Sequence, residues 1–449
     1  MKSIILNFNK SVVLVLLLAL MSAIIIFSNT GTQYSFKVLL LFFTISTMAL
    51  YGVFLLKDQV AFSLNKTFNI FYYFFFGLAP AVQYKFENSF FNAPKFNDSD
   101  YLKTGCILLV ILLVYLIGYN LCYRFFEKLT LKKETLFKQK EALWWYYLVA
   151  IGAFVLTVLI VKFNFEVLFL RPPANFLKIN TNFGLIGYSI LLIVRAVPII
   201  VLLRYILIDG CNRKHIVILG VIALLTAFPF SLSRGIAAAY YIPFFVLLYP
   251  IRKSKYAYAV SYFIGVFLIF PLLNVFRNSN SGFSYGIAAF KTGHFDAFQN
   301  FSLLIKEDII TGGRQLIGAL LFFVQETTWS SKPPGTGTLL ATSLNFNHTN
   351  VAMPYFGEGY ANFGYFGIGL FLVLIVILNA YLDTSYRHKK QTLFLKIGYL
   401  FLLGFEFYLL RGDLSSSVKK GVSFLLALIL VHFYIKIIRK ITETIFNKI

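Results

Sequence analysis

The chain predicts an all-α fold, a polytopic membrane protein of about twelve transmembrane helices with one large outside loop. Three observations carry this. Of 449 residues, 59% are hydrophobic and only 13% charged, with a mean hydropathy of +0.76, which is not a soluble globular composition. Apolar runs recur from end to end at the length a helix needs to cross roughly 30 Å of hydrocarbon. The short alternating segments of a membrane barrel do not occur.

Lys2 and Lys10 precede the first run, Ser11 to Ser28. Its charge resembles that of a signal peptide, but it continues through Ala23-Ile24-Ile25-Ile26 without a small-residue cleavage site, so it reads as an uncleaved span. Further spans follow at 38–56, 67–83, 102–123, 143–161, 184–206, 216–231, 236–250, 257–275, 364–382, 393–410 and 418–435. The seventh and eighth are short and meet at Pro229-Phe230-Ser231-Leu232-Ser233-Arg234-Gly235. They read either as two spans or as broken, re-entrant segments lining a cavity. The chain thus divides into helices 1 to 9 over 1–275, a large loop over 276–362, and helices 10 to 12 over 363–449.

Lysine and arginine placement orients these spans. Arg124, Lys128, Lys132, Lys133, Lys138 and Lys140 share one loop, and Arg213-Lys214, Arg252-Lys253, Lys255, Arg387, Lys389-Lys390 and Arg439-Lys440 fall on the same side. The positive-inside rule makes that side, and both termini, cytoplasmic. The net charge of +23 at pH 7 is explained by these short basic loops and does not imply a nucleic-acid partner. Cys106 and Cys122 fall in the fourth span and Cys211 in an inside loop, so no outside disulfide is expected. There is no P-loop, Rossmann glycine pattern, HExxH or CxxC. No cofactor and no metal site are therefore expected.

The polar chemistry concentrates in the long loop, and loops of this length are commonly functional. It carries Gly293-His294-Phe295-Asp296-Ala297-Phe298, then Gly312-Gly313-Arg314-Gln315, then an apolar stretch from Leu316 to Val324 that is too short to span. That stretch either dips into the interface or packs on the helices. The loop ends in Asn345 to Gly367, where His348, Asn350, Glu358, Tyr360 and Asn362 stand among glycines and aromatic rings. Aromatic faces pack on sugar rings, amides and carboxylates bind hydroxyls, and glycines permit close backbone approach. An aromatic belt at a helix entry has a similar composition.

These motifs, with Trp329-Ser330-Ser331-Lys332-Pro333, Gly357-Glu358-Gly359-Tyr360-Ala361-Asn362-Phe363-Gly364 and Arg411-Gly412-Asp413, resemble the Wzy-type O-antigen polymerases, or oligosaccharide repeat-unit polymerases. The layout is similar over most of the chain, and the specific motifs lie in its second half. None of Arg171, Arg234, Arg277, Arg314 or Arg411 is followed by glycine at the Arg-x10-Gly spacing that some members carry.

The resemblance implies a multi-pass protein of the bacterial inner membrane with a large periplasmic loop. It implies a glycosyltransferase that moves a growing glycan from undecaprenyl diphosphate onto a lipid-linked repeat unit. Its partners would be donor and acceptor glycolipids, membrane lipid, a chain-length regulator and a flippase, and its products O-antigen or capsular polysaccharide. Glu358 or His348 would serve as general base. Arg234, Arg277, Arg314, Arg411, Arg195 and Arg171 would bind diphosphate, with Asn350, Asn362 and Tyr360 as further substrate contacts.

Each candidate has a structural alternative. Glu358 could complement the dipole of the tenth span, and His348 could be polar surface. Arg234 could snorkel, Arg195 could bond helix to helix, and Arg277 and Arg314 could be solvated charges. Glu406 and Arg411 could pair with each other. Other functions compatible with the sequence are a flippase for the same glycolipids, a ligase that moves finished glycan, and a non-catalytic assembly partner.

Overall fold

A computed structural model describes residues 2–56, 60–130, 143–170, 184–208, 212–247, 253–266, 286–325, 327–387 and 392–446. Among these residues the regular structure is helical throughout. The helices are α1 (Lys2–Phe27), α2 (Phe36–Phe54), α3 (Leu64–Phe71), α4 (Ala79–Lys85), α5 (Asp98–Thr130), α6 (Leu143–Ile160), α7 (Phe165–Phe169), α8 (Gly184–Leu207), α9 (Arg213–Thr226), α10 (Arg234–Leu247) and α11 (Ala257–Ile264). They continue with α12 (Ala297–Lys306), α13 (Arg314–Leu320), α14 (Thr336–Ser343), α15 (Tyr355–Arg387), α16 (Leu393–Arg411) and α17 (Leu414–Phe446).

Eight of the described helices are long and apolar enough to cross a membrane: α1, α2, α5, α6, α8, α15, α16 and α17. Their outer faces carry exposed Leu16, Leu20, Ile117, Val155, Val373 and Leu430, which in water would be an uncovered apolar surface. This is a multi-pass helical membrane protein. The expected seventh and eighth spans are the 14-residue helices α9 and α10, separated by the turn around Ser231.

The expected span at 67–83 forms in three pieces, because Pro80 has no N–H to donate to the Phe76 carbonyl. The backbone widens into a π-helix over Tyr72–Leu78, where the Ala79 N–H reaches back to the Phe74 carbonyl. All residues of α3, this π segment and α4 are buried, so the segment lies in the middle of the bundle rather than against lipid.

Glu358 does not sit at the start of a straight tenth span. Phe363 and Gly364 leave helical geometry, and Gly364, at φ +62 and ψ −146, adopts a backbone open only to glycine. The chain reverses there. The rings of Tyr355 and Phe371 are 4.9 Å apart, whereas sixteen residues of straight helix would separate them by about 24 Å. Gly359 and Gly367 face each other so closely that a Cβ on Gly367 would lie 1.9 Å from the Gly359 carbonyl oxygen. Residues 355–362 are therefore a short leg folded back on the first turns of the longer one. Glu358 thus stands in the first turn of the short leg and not at the start of the long one.

Residues 286–353 cover the same end of the bundle. Gln83 bonds to the Phe290 and Phe295 carbonyls, and Lys306 pairs with Asp100 at 2.8 Å. The apolar stretch from Leu316 begins in α13, which packs on α17 while leaving Ile317, Leu320 and Phe323 exposed.

Candidate functional site

At this end three helix termini meet: the C-terminus of α16 and the N-termini of α14 and α17. The Glu358 side chain is buried between them, with Oε2 accepting a bond from Thr336 Oγ1 at 2.5 Å and Oε1 accepting one from the Leu414 backbone N–H at 2.8 Å. Asp413 stands beside it. Its Oδ2 accepts from the Gly337 N–H at 3.1 Å and its Oδ1 from the Ser415 N–H at 3.0 Å, so it caps the start of α17. Gly335 passes so close that a Cβ there would lie 2.4 Å from Asp413 Oδ2. Burial pushes the Asp413 carboxyl above its ordinary range, and the N–H groups of Gly337, Ser416, Ser415 and Thr336 pull it back. Glu358 and Asp413 thus form a carboxyl pair on the N-termini of α14 and α17, where anions are favoured. Asp413 is the more open member.

Arg411 does not pair with Glu406. It bonds Asp296 Oδ1 through Nη2 at 3.0 Å, and its buried Nε has no hydrogen-bond partner among the described residues. Asp296 also accepts from Asn300 Nδ2 at 3.1 Å and the Ala352 N–H at 3.3 Å. Burial raises the Asp296 carboxyl, and Arg411 is the strongest influence lowering it. Glu406 instead accepts from Asn379 Nδ2, at 2.6 Å.

Further cations gather around two tyrosines. Lys420 donates to Tyr408 Oη and lies 4.0 Å from the centre of its ring, while Lys419 lies 4.7 Å from the ring centre of Tyr188. Lys332 lies within electrostatic reach of Lys419 and bonds the Phe322 and Val324 carbonyls. Gly235 packs directly on the Tyr408 ring, which brings the half-buried Arg234 to the same place. Tyr188 also lines a cavity of about 40 Å³ with Arg195, Ser231, Ser233, Leu192 and Ile236. Arg195 is 5% exposed and bonds Ser231 Oγ at 3.4 Å and the Val167 carbonyl at 3.2 Å. Its Nε and Ser233 Oγ have no hydrogen-bond partner among the described residues.

The other expected contacts fare differently. Asn362 is fully buried and its amide is used within the chain: Oδ1 accepts from the Leu316 N–H and Nδ2 donates to the Glu358 carbonyl, both at 2.8 Å. It holds the short leg rather than presenting an amide to a ligand. Tyr360 is likewise buried, its hydroxyl donating to Asp308 at 2.7 Å. The exposed Arg314 bonds the Ser331 carbonyl. His348 is exposed, its ring 5.4 Å from that of Phe91, and makes no hydrogen bond to Glu358; Asn350 is exposed nearby. Arg171, Arg277 and Cys211 lie outside the described residues.

Sequence reasoning did not single out Asp413, Asp296, Thr336, Lys332, Lys419 or Lys420 as site residues. The run Arg411-Gly412-Asp413-Leu414-Ser415-Ser416-Ser417 followed by Lys419-Lys420 held the signal: a helix-capping sequence and two cations opening an otherwise apolar helix. Among the described residues, no group of three or more His, Cys, Asp and Glu could hold a metal ion. No protein family, no curated protein and no solved structure matches this chain.

Proposed function

We propose that this protein is a glycosyltransferase that joins undecaprenyl-diphosphate-linked oligosaccharide repeat units into O-antigen or capsular polysaccharide. The observation that carries this reading is the carboxyl pair Glu358–Asp413 at the same end of the bundle as a group of cations that includes Arg195, Arg234, Arg411, Lys419 and Lys420. In this reading that end faces the periplasm, the chain crosses the inner membrane twelve times, and both termini are cytoplasmic, in keeping with the basic short loops.

The acceptor hydroxyl oxygen attacks the anomeric carbon of the donor glycan, and the bond to the diphosphate oxygen breaks with its electron pair. The cations stabilise the leaving diphosphate. The Glu358–Asp413 carboxyl pair takes the hydroxyl proton, and neither carboxyl suffices without the other. One observation favours a second reading, transport of the same glycolipids: Asn379, Asp383 and Glu406 bury polar groups inside the spans.

A deletion strain separates the readings on a glycan gel. Loss of the ladder with one repeat still attached supports polymerisation, whereas loss of all surface glycan refutes it and points to a flippase or ligase.

A further inference from the structure

The spans contain a carboxyl that the site above does not use. Glu406 lies in the last two turns of α16 and is 2% exposed. Its Oε1 accepts from Asn379 Nδ2 at 2.6 Å, and the same amide donates to Tyr115 Oη at 3.1 Å. Its Oε2 is buried without a hydrogen-bond partner, and it forms no ion pair among the described residues. Asp383, Tyr258 and Tyr262 are within electrostatic reach, and none of these three brings a positive charge.

A carboxylate in that place would carry a buried charge on a single neutral hydrogen bond, a costly arrangement inside hydrocarbon. A neutral carboxyl removes the charge and makes Oε2 a hydroxyl. Asp383 shows the contrast. It accepts from the Leu64 and Asn65 N–H groups and from the hydroxyls of Tyr119 and Tyr399, so both its oxygens are occupied.

We propose that Glu406 is a proton-binding site inside the membrane, loaded in the resting protein and able to release its proton reversibly. The polar groups on one side of it suggest the route. Asn379 and Asp383 are one turn apart on α15, Tyr115 and Tyr119 are one turn apart on α5, and Tyr119 bonds Asp383. They form a series from Glu406 toward the end of the bundle where Arg387 meets Tyr123. The ligand is the proton, and the inference stands independently of glycosyl transfer.

Infrared spectroscopy of the full-length protein in lipid nanodiscs tests it, with Glu406→Gln as an isosteric variant of equal fold by circular dichroism. At neutral pH, the wild-type-minus-variant spectrum is expected to contain the carbonyl stretch of a protonated carboxyl, shifted in heavy water. Raising the pH should convert that band reversibly to carboxylate stretches while the helical signal is unchanged. A difference spectrum showing carboxylate stretches at neutral pH overturns the loaded state. A protonated band that persists to the alkaline limit of the fold overturns proton release and leaves Glu406 a fixed structural acid.

Discussion

Replacing Glu358 with glutamine separates chemistry from scaffolding, because the structure makes the scaffolding cost small. The Gln carbonyl can still accept from the Leu414 N–H, and its amide can donate to Thr336 Oγ1, whose hydroxyl rotates to accept. The Thr336 hydroxyl loses its acceptor but gains a donor, and the repulsion from Asp413 disappears. The change in stability should therefore stay within about 1 kcal/mol. Loss of a general base costs about 10²- to 10⁴-fold in rate. The assay is elongation of lipid-linked repeats by purified protein, read beside the melting temperature of the same preparation. The expected outcome is near-complete loss of polymer with an unchanged melt, and Asp413→Asn should reproduce the activity loss. A full-length ladder from Glu358→Gln at normal protein level would refute the carboxyl-pair reasoning and leave Glu358 as a clamp on α14 and α17.

Asn362→Ala should act on stability rather than on substrate affinity, since it strands the Leu316 N–H and the Glu358 carbonyl; a loss of about 2–4 kcal/mol is expected in a thermal or denaturant melt. Gly367→Ala places a methyl group against backbone that cannot yield, at a cost above the usual 1–3 kcal/mol of about one overpacked site, and should be read as lowered protein level and early proteolysis near 355–365. Asp296 has a raised carboxyl pKa, so the folded state holds its proton more tightly than the unfolded chain. Its contribution to stability is then full at acid pH and is lost as pH rises through the folded value; Asp296→Asn should flatten this part of the stability curve, and an unchanged curve would count against it. Lys419→Ala with Lys420→Ala should raise KM for the lipid-linked donor more than it lowers kcat, measured in the elongation assay, if these cations hold the diphosphate.

The fold class was legible because hydrocarbon imposes a simple rule: every backbone group must be satisfied within the helix, so apolar length alone marks a span. That rule located α2, α5, α6, α8 and α16 closely. It could not show that 64–85 is enclosed, since a lipid-facing and a protein-facing apolar residue look alike in sequence. The reversal at Phe363–Gly364 was hidden for another reason. Glycine permits the turn, but only the contact between Gly359 and Gly367 reveals that it is used. At the site, Glu358 stood out as an acid among apolar residues, and Arg411 as a cation at a span end. Their partners did not, because Asp296, Thr336 and Asp413 are ordinary residues at helix starts until the chain brings 286–353 to the α16–α17 junction. His348 and Asn350 illustrate the converse: polar residues conspicuous in sequence that the structure leaves at the surface.

The distribution of unused hydrogen-bonding capacity bears on which polar residues serve structure and which await a ligand. Asn362 and Tyr360 are buried and have partners for their side chains, so removing them would cost stability without exposing a function. Arg195 Nε, Ser233 Oγ and Arg411 Nε are buried donors with no partner among the described residues, and all belong to the end of the bundle where the carboxyl pair lies. An unpaired buried donor costs about 1–3 kcal/mol. In the proposed function these donors, beside cations stacked on Tyr188 and Tyr408, are where the leaving diphosphate would be held. Among the described residues, Asn69 Oδ1, Tyr72 Oη, Glu406 Oε2 and Ser417 Oγ are buried without a partner elsewhere in the helices. In the proposed function the unpartnered donors at the site end meet the leaving diphosphate, while the infrared test of Glu406 addresses the unpartnered carboxyl oxygen inside the spans.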